Sequence, residues 1–159
     1  MIAGVLTVSD RCSRGEAEDR SGALLEELLA ADGYAVERRC VPDERAAIEA
    51  ALRELAGHAA LVLTTGGTGL APRDVTPEAT RAALDREAPG IAEALRADSR
   101  AKTPHGLLSR GAAGMIGATL VVNLPGSTGG CRDGYALLAP ALPHALALLG
   151  DTRTEHAQT

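Results

Sequence analysis

The chain has 159 residues, 45% of them hydrophobic, and a formal net charge of −5. That is one domain's worth of globular chain, long enough to bury a core without disulfides or a structural metal and too apolar to be disordered. The acidic balance, with Tyr34 and Tyr135 as the whole aromatic complement, excludes a general nucleic-acid footprint and a base-stacking platform for single strands.

No apolar run approaches the roughly 18 residues needed to cross a membrane. The first residues, Met1-Ile2-Ala3-Gly4-Val5-Leu6, enter a strand pattern with no basic leader, so a cytoplasmic protein is expected. Cys12, Cys40 and Cys131 are widely spaced and form neither a CxxC pair nor a zinc cluster. Lys102 is the only lysine among sixteen basic residues, a choice that coding bias or a preference for a planar cation would equally produce.

Residues 2–8 are mostly apolar, as in a strand buried on both faces. A polar loop, residues 9–20, follows. Leu24, Leu25, Leu28 and Leu29 at helical spacing predict a helix that Asp32-Gly33 stops. Residues 34–41 read as a second strand. Pro42-Asp43 opens a second helix with Ile48, Leu52 and Leu55 on one stripe, ended by Gly57. Residues 59–63 form a third strand, and a helix is expected from Thr76-Pro77 to about Glu87. Residues 91–100 are helical, residues 103–117 irregular and Gly-rich, and residues 119–124 a strong strand. The last helix, residues 132–149, should be kinked or split at Pro140 and Pro143. Strands separated by helices imply an α/β protein with a parallel sheet covered on both faces. Residues 1–150 read as a single domain, and residues 151–159 as a polar, frayed tail.

In an open parallel sheet the ligand site lies outside the carboxyl ends of the strands. Hydroxyls, carboxylates and glycines gather at those ends: Thr7, Ser9 and Asp10 where the first strand ends, Asp43 where the second ends, and Asn123, Gly126 and Ser127 where the late one ends. The densest run follows the third strand, Thr64-Thr65-Gly66-Gly67-Thr68-Gly69, then Arg73-Asp74 and the helix start at Thr76-Pro77-Glu78. Glycines there admit positive φ and bring main-chain N–H groups close to an anion. The run is neither a Walker A loop nor a GxGxxG fingerprint. Asp74 could hold Mg²⁺ or orient a nucleophile near bound phosphate, or serve as a turn aspartate supporting Thr76 or pairing with Arg73. Asp43 reads first as a helix N-cap that could still face a ligand. Thr76 reads as an N-cap with Pro77 behind it. Ser127 could cap the last helix or donate to an anion, and Ser109 could approach a ligand or lie in a surface turn.

Four segments carry a family resemblance: Thr7-Val8-Ser9-Asp10-Arg11-Cys12-Ser13; Val41-Pro42-Asp43-Glu44; TTGGTGLAPRDVTPEAT at residues 64–80; and SRGAAG at residues 109–114 with Asn123-Leu124-Pro125-Gly126-Ser127. With them the chain resembles the molybdopterin adenylyltransferases of the MogA/MoaB type. The resemblance implies a three-layer α/β/α fold with a mostly parallel central sheet, usually a homotrimer. It implies adenylyl transfer from Mg-ATP to the terminal phosphate of molybdopterin, releasing pyrophosphate, in molybdenum cofactor biosynthesis. Asp43 and Asp74 fall on its important acidic positions, where they would hold or orient Mg²⁺. Gly66, Gly67, Thr68, Gly69, Gly126 and Ser127 fall in its ligand-binding loops, with Thr7, Ser9 and Ser109 adding hydrogen bonds. Arg11, Arg73 and Arg110 would supply local attraction for anionic substrates, and the product would pass to a molybdenum-inserting partner. The alternative is a molybdopterin-binding paralogue or scaffold without adenylyltransferase activity.

Overall fold

The computed structural model describes the backbone of residues 1–155 and the side chains of residues 1–150. Its centre is a six-stranded sheet. The strands are Ile2–Val8 (β1), Ala35–Val41 (β2), Leu61–Thr65 (β3), Arg86–Glu87 (β4), Ala113–Ile116 (β5) and Thr119–Leu124 (β6), in the order β2-β1-β3-β6-β5-β4. The run β2-β1-β3-β6 is parallel, whereas β5 is antiparallel to both of its neighbours.

Side chains alternate across the strands, and the two faces carry separate cores. On one, Val5, Leu61, Leu63, Val122 and Leu124 pack against Leu25 and Leu29 of Arg20–Ala31 (α2), with Cys131, Tyr135 and Leu138 of Thr128–Leu138 (α6) and Leu142 and Leu146 of Leu142–Glu155 (α7). On the other, Leu6, Val8, Val62 and Val121 meet Ile48, Leu52 and Leu55 of Arg45–Ala56 (α3) and Ala79 and Ala83 of Thr76–Ala83 (α4). The result is the three-layer α/β/α arrangement expected. Val62, Leu63, Val121 and Val122 are all fully buried; each such side chain contributes roughly 1.5–3 kcal/mol.

Four departures from the sequence reading bear on the site. First, β3 runs to Thr65, so Thr64 and Thr65 are buried strand residues paired with Asn123 and Leu124 of β6, not loop residues. Their hydroxyls are tolerated there because they are bonded. Asn123 Nδ2 donates to Thr64 Oγ1 at 3.0 Å and to Thr80 Oγ1 at 2.9 Å, while its Oδ1 accepts from Ala112 N at 3.0 Å. Asn123→Leu would strip partners from two hydroxyls and one amide. The expected cost is about 3 kcal/mol, read as a lowered denaturant midpoint at unchanged slope.

Second, the helix begun at Thr76 stops at Ala83. Asp85 N donates to Met115 O at 2.8 Å and Asp85 Oδ2 accepts from Gly117 N at 2.6 Å, turning the chain into β4. Third, residues 103–117 hold a 3₁₀ turn, Pro104–Leu108, and β5. Fourth, the polar loop after β1 contains a short helix, Asp10–Ser13 (α1). The expected break near Pro140 separates α6 from α7. Pro89–Lys102 (α5) completes the helices. The expected polar tail overlaps the last turns of α7, and residues 156–159 lie outside the described residues.

Candidate active site

The carboxyl ends of β1, β3 and β6 converge, and at their meeting point the backbone packs without side chains. Gly66 and Gly67 have φ of +99° and +69°, a region that favours glycine. A Cβ on Gly66 would lie 2.3 Å from the Val8 carbonyl oxygen, and one on Gly126 would lie 3.4 Å from Gly66 Cα. Thr76 is not an N-cap. That position belongs to Val75, which makes no side-chain cap bond. Thr76 Oγ1 instead donates to Gly66 O at 2.9 Å, and Thr76 N to Gly67 O at 3.1 Å. The fully buried threonine thus ties α4 to the glycine turn. The amides of Gly67, Thr68, Gly69 and Leu70 have no protein acceptor among the described residues. Consecutive free donors of this kind form an anion-holding concavity.

Three carboxylates stand beside the loop. Asp43 is not the cap of α3 either, because Glu44 occupies the cap position without a side-chain bond. Asp43 is held across the sheet end. Asp10 N donates to Asp43 Oδ2 at 2.9 Å, and Asp43 N donates to Asp10 Oδ1 at 3.0 Å. Asp10 also takes both donors of Arg73, from Nε at 2.6 Å and Nη2 at 2.9 Å. Asp74 therefore has no pairing with Arg73. It is a turn residue whose Oδ2 accepts from Ala71 N at 3.0 Å.

Asp43 reaches Gly67, where a Cβ would sit 3.2 Å from its Oδ1. Asp74 reaches Gly69, where a Cβ would sit 2.9 Å from its Oδ2. Burial pushes the Asp43 carboxyl above its usual value. The Asp10 amide opposes that, and the charges of Asp10 and Asp74 push it up again. Hydrogen bonding from Arg73 holds the Asp10 carboxyl below its usual value. A bound cation would offset both the burial of Asp43 and the charges of the carboxylates around it. Among the described residues no three carboxylate, His or Cys groups form a metal cluster. Mg²⁺ needs none, since one or two carboxylates plus ligand phosphates commonly suffice. The residues present therefore fit a Mg²⁺ bound together with phosphate.

Two pockets flank the loop. The larger, about 550 Å³, takes Thr68 and Gly69 from the loop, Asn123 and Pro125 from the end of β6, Ser109, and Ser127, Gly129 and Gly130 at the start of α6. Its far wall, from α5 and the 3₁₀ turn, carries Asp98, Ser99, Lys102 and His105. The smaller, about 230 Å³, is lined by Thr7, Ser9, Cys12, Thr65, Gly66 and Gly126.

Four of the expected hydroxyls also have a structural partner, whereas that of Thr68 has none among the described residues. Ser127 caps α6, accepting from Gly130 N at 3.1 Å, and Ser9 caps α1, accepting from Cys12 N at 3.2 Å. Thr7 donates to Asp19 Oδ2 at 2.8 Å, and Ser109 Oγ accepts from Gly111 N at 3.3 Å. Of the arginines expected to attract anions, Arg73 is spent on Asp10 and Arg110 on Glu78 and loop carbonyls. Arg11 alone of the three makes no ion pair or side-chain hydrogen bond among the described residues.

Several site residues were not singled out from the sequence: Asp10 as the partner of Asp43, Asn123 as the anchor between β3 and α4, and the α5 wall of the larger pocket. Asp10 had a readable signal in its place at the end of β1. The α5 wall had none, since its polar residues look like an ordinary solvated helix face. Among the described residues no helix is long and apolar enough to cross a membrane.

A mostly parallel sheet with a glycine turn, free amides and carboxylates at its carboxyl edge defines an α/β domain whose candidate ligand site lies at the strand ends. The chain belongs to the family described as probable molybdopterin binding domain, whose model matches residues 4–144. It is 38% identical to the molybdopterin adenylyltransferase of Helicobacter pylori strain J99, over 92% of this chain and 86% of that protein. It is 42% identical to the molybdenum cofactor synthesis protein cinnamon of Drosophila melanogaster, over 98% of this chain but only 27% of that protein. It spans under half the length of several other curated relatives. The crystal structure of the molybdopterin biosynthesis enzyme MoaB from Thermus thermophilus superposes with a TM-score of 0.84 at 49% identity, covering 93% of this chain and 95% of that one.

Proposed function

We propose that this chain is a molybdopterin adenylyltransferase acting in molybdenum cofactor biosynthesis. The observation that carries the reading is the shared wall. Gly66 belongs to the smaller pocket, Thr68 and Gly69 to the larger, and Asp43 and Asp74 stand at Gly67 and Gly69. Two phosphate-bearing substrates lying in the two pockets would bring their phosphates together over one run of free amides. A terminal phosphate oxygen of molybdopterin attacks the α-phosphorus of ATP. The bond to the β-phosphate breaks, and pyrophosphate leaves. Such transfer needs alignment and charge neutralisation more than covalent help.

The amides of Gly67, Thr68, Gly69 and Leu70 hold phosphate oxygens, and the start of α6 adds the positive end of its dipole to the larger pocket. Asp74 and Asp43 would hold Mg²⁺, which when bound supplies charge neutralisation at the phosphates. The reading carries with it a cytoplasmic homotrimer that passes its product to a metal-inserting partner. The relatives named for adenylyltransferase activity, at 38% and 44% identity, support it.

The test is direct. The protein is incubated with molybdopterin, ATP and Mg²⁺, and adenylated molybdopterin and pyrophosphate are measured. Both are expected in equal amounts. Molybdopterin binding with neither product would establish the binding-protein reading instead. Excess EDTA is expected to stop the reaction and leave the far-UV circular dichroism unchanged; full activity under EDTA would remove the metal from the mechanism.

A further inference from the structure

Arg110 lies between the 3₁₀ turn and β5, with one third of its side chain exposed. Its donors all turn back on the glycine loop and the start of α4. The backbone N donates to Thr68 O at 2.9 Å, Nε to Gly69 O at 2.8 Å and Nη2 to Asp74 O at 2.6 Å. Nη1 meets the Glu78 carboxylate in the first turn of α4.

A planar trans peptide points its C=O and N–H in opposite directions. Drawing the carbonyls of Thr68 and Gly69 toward Arg110 therefore turns the N–H groups of Gly69 and Leu70 away from it, and those amides have no protein acceptor among the described residues. The same guanidinium holds the backbone of Asp74. Arginine–carboxylate pairs are frequently bidentate, the guanidinium fork meeting both oxygens. Here Glu78 Oε2 is buried without a hydrogen-bond partner, because the other donors go to the loop carbonyls.

We infer that Arg110 is a positioning residue. It aims the amides of Gly69 and Leu70 at the ligand's phosphate and sets the place of Asp74, without itself being a phosphate ligand. This deepens the adenylyltransferase reading and rests on it for the identity of the ligand.

The experiment compares wild type, Arg110→Lys and Arg110→Ala, the last with and without added ethylguanidinium. Turnover, equilibrium binding of molybdopterin and Tm are measured for each. Lysine keeps the charge but loses the planar fork. Arg110→Lys is expected to lower kcat and weaken molybdopterin binding, each by about 10–100-fold, by analogy with the loss of a hydrogen-bond partner that orients a metal ligand. Ethylguanidinium is expected to restore part of the turnover of Arg110→Ala, since it can refill the fork.

Wild-type kcat and molybdopterin affinity in Arg110→Lys would overturn the inference, because charge alone would then suffice. A lowered Tm with unchanged kcat and affinity per folded molecule would overturn it as well, leaving a purely structural role. If wild type makes no adenylated product while Arg110→Lys still weakens molybdopterin binding, the adenylyltransferase reading fails and the positioning role stands.

Discussion

Asp74→Asn is expected to fold as wild type, keep its affinity for molybdopterin and lose about 10²-fold or more of its turnover. The substitution is isosteric, and its amide oxygen can still accept from Ala71 N, the one bond the carboxylate makes. Arg110 holds the carbonyl of residue 74, not its side chain, so the loop keeps its anchor. What disappears is one negative charge at the edge of the free amides. A charge contact realised mainly in the transition state is worth about 2.7 kcal/mol, which is the hundredfold. Molybdopterin binding, single-turnover adenylation and circular dichroism together separate the cases. Wild-type turnover in Asp74→Asn would take the carboxylate out of the mechanism, and lost molybdopterin binding would show that it shapes the pocket instead.

Gly66→Ala carries the largest expected stability cost. Its φ of +99° is strained for any residue with a side chain. The added methyl would lie 2.3 Å from the carbonyl oxygen of Val8, a backbone atom fixed at the end of a strand paired on both sides. No rotamer change relieves such a clash. The backbone penalty and the overpacking together should cost about 3 kcal/mol or more, lowering Tm by roughly 10 °C for a domain of this size. Gly129→Ala is the control: a Cβ there has nothing within 4 Å, so it should leave Tm within a degree or two. Equal melting of Gly66→Ala and wild type would mean that Val8 and the turn can shift apart without cost.

The framework was legible where its strands are apolar runs. β1 and β6 fall where the sequence placed them, and buried residues along them read as strands covered on both sides. β5 was hidden because Ala113-Gly114-Met115-Ile116 is short, holds a glycine and lacks a repeating pattern. β4 is two exposed charged residues, a pattern no periodicity can reveal. The glycine turn and its carboxylates were visible as residue types, but their bonding was not. Asp43 and Thr76 each precede a helix and so read locally as caps. The structure uses both over distance, Asp43 with Asp10 across 33 residues and Thr76 with Gly66 across 10. A local preference worth about 1 kcal/mol gives way to a tertiary bond that orders two loops at once. Arg110 and Glu78 lie 32 residues apart, and nothing local marks them as partners.

The two ends of the sheet bear on how copies of this chain could meet. At one end β2 carries Glu37, Arg38 and Arg39, engaged with Glu26, Glu54 and His58. At the other, β4 is only Arg86 and Glu87, too short to template a neighbour. Charged and very short outer strands discourage hydrogen-bonded stacking of one molecule's sheet on the next. If copies of this chain assemble, the contacts are expected to run through helices and loops and to leave the strand order unchanged.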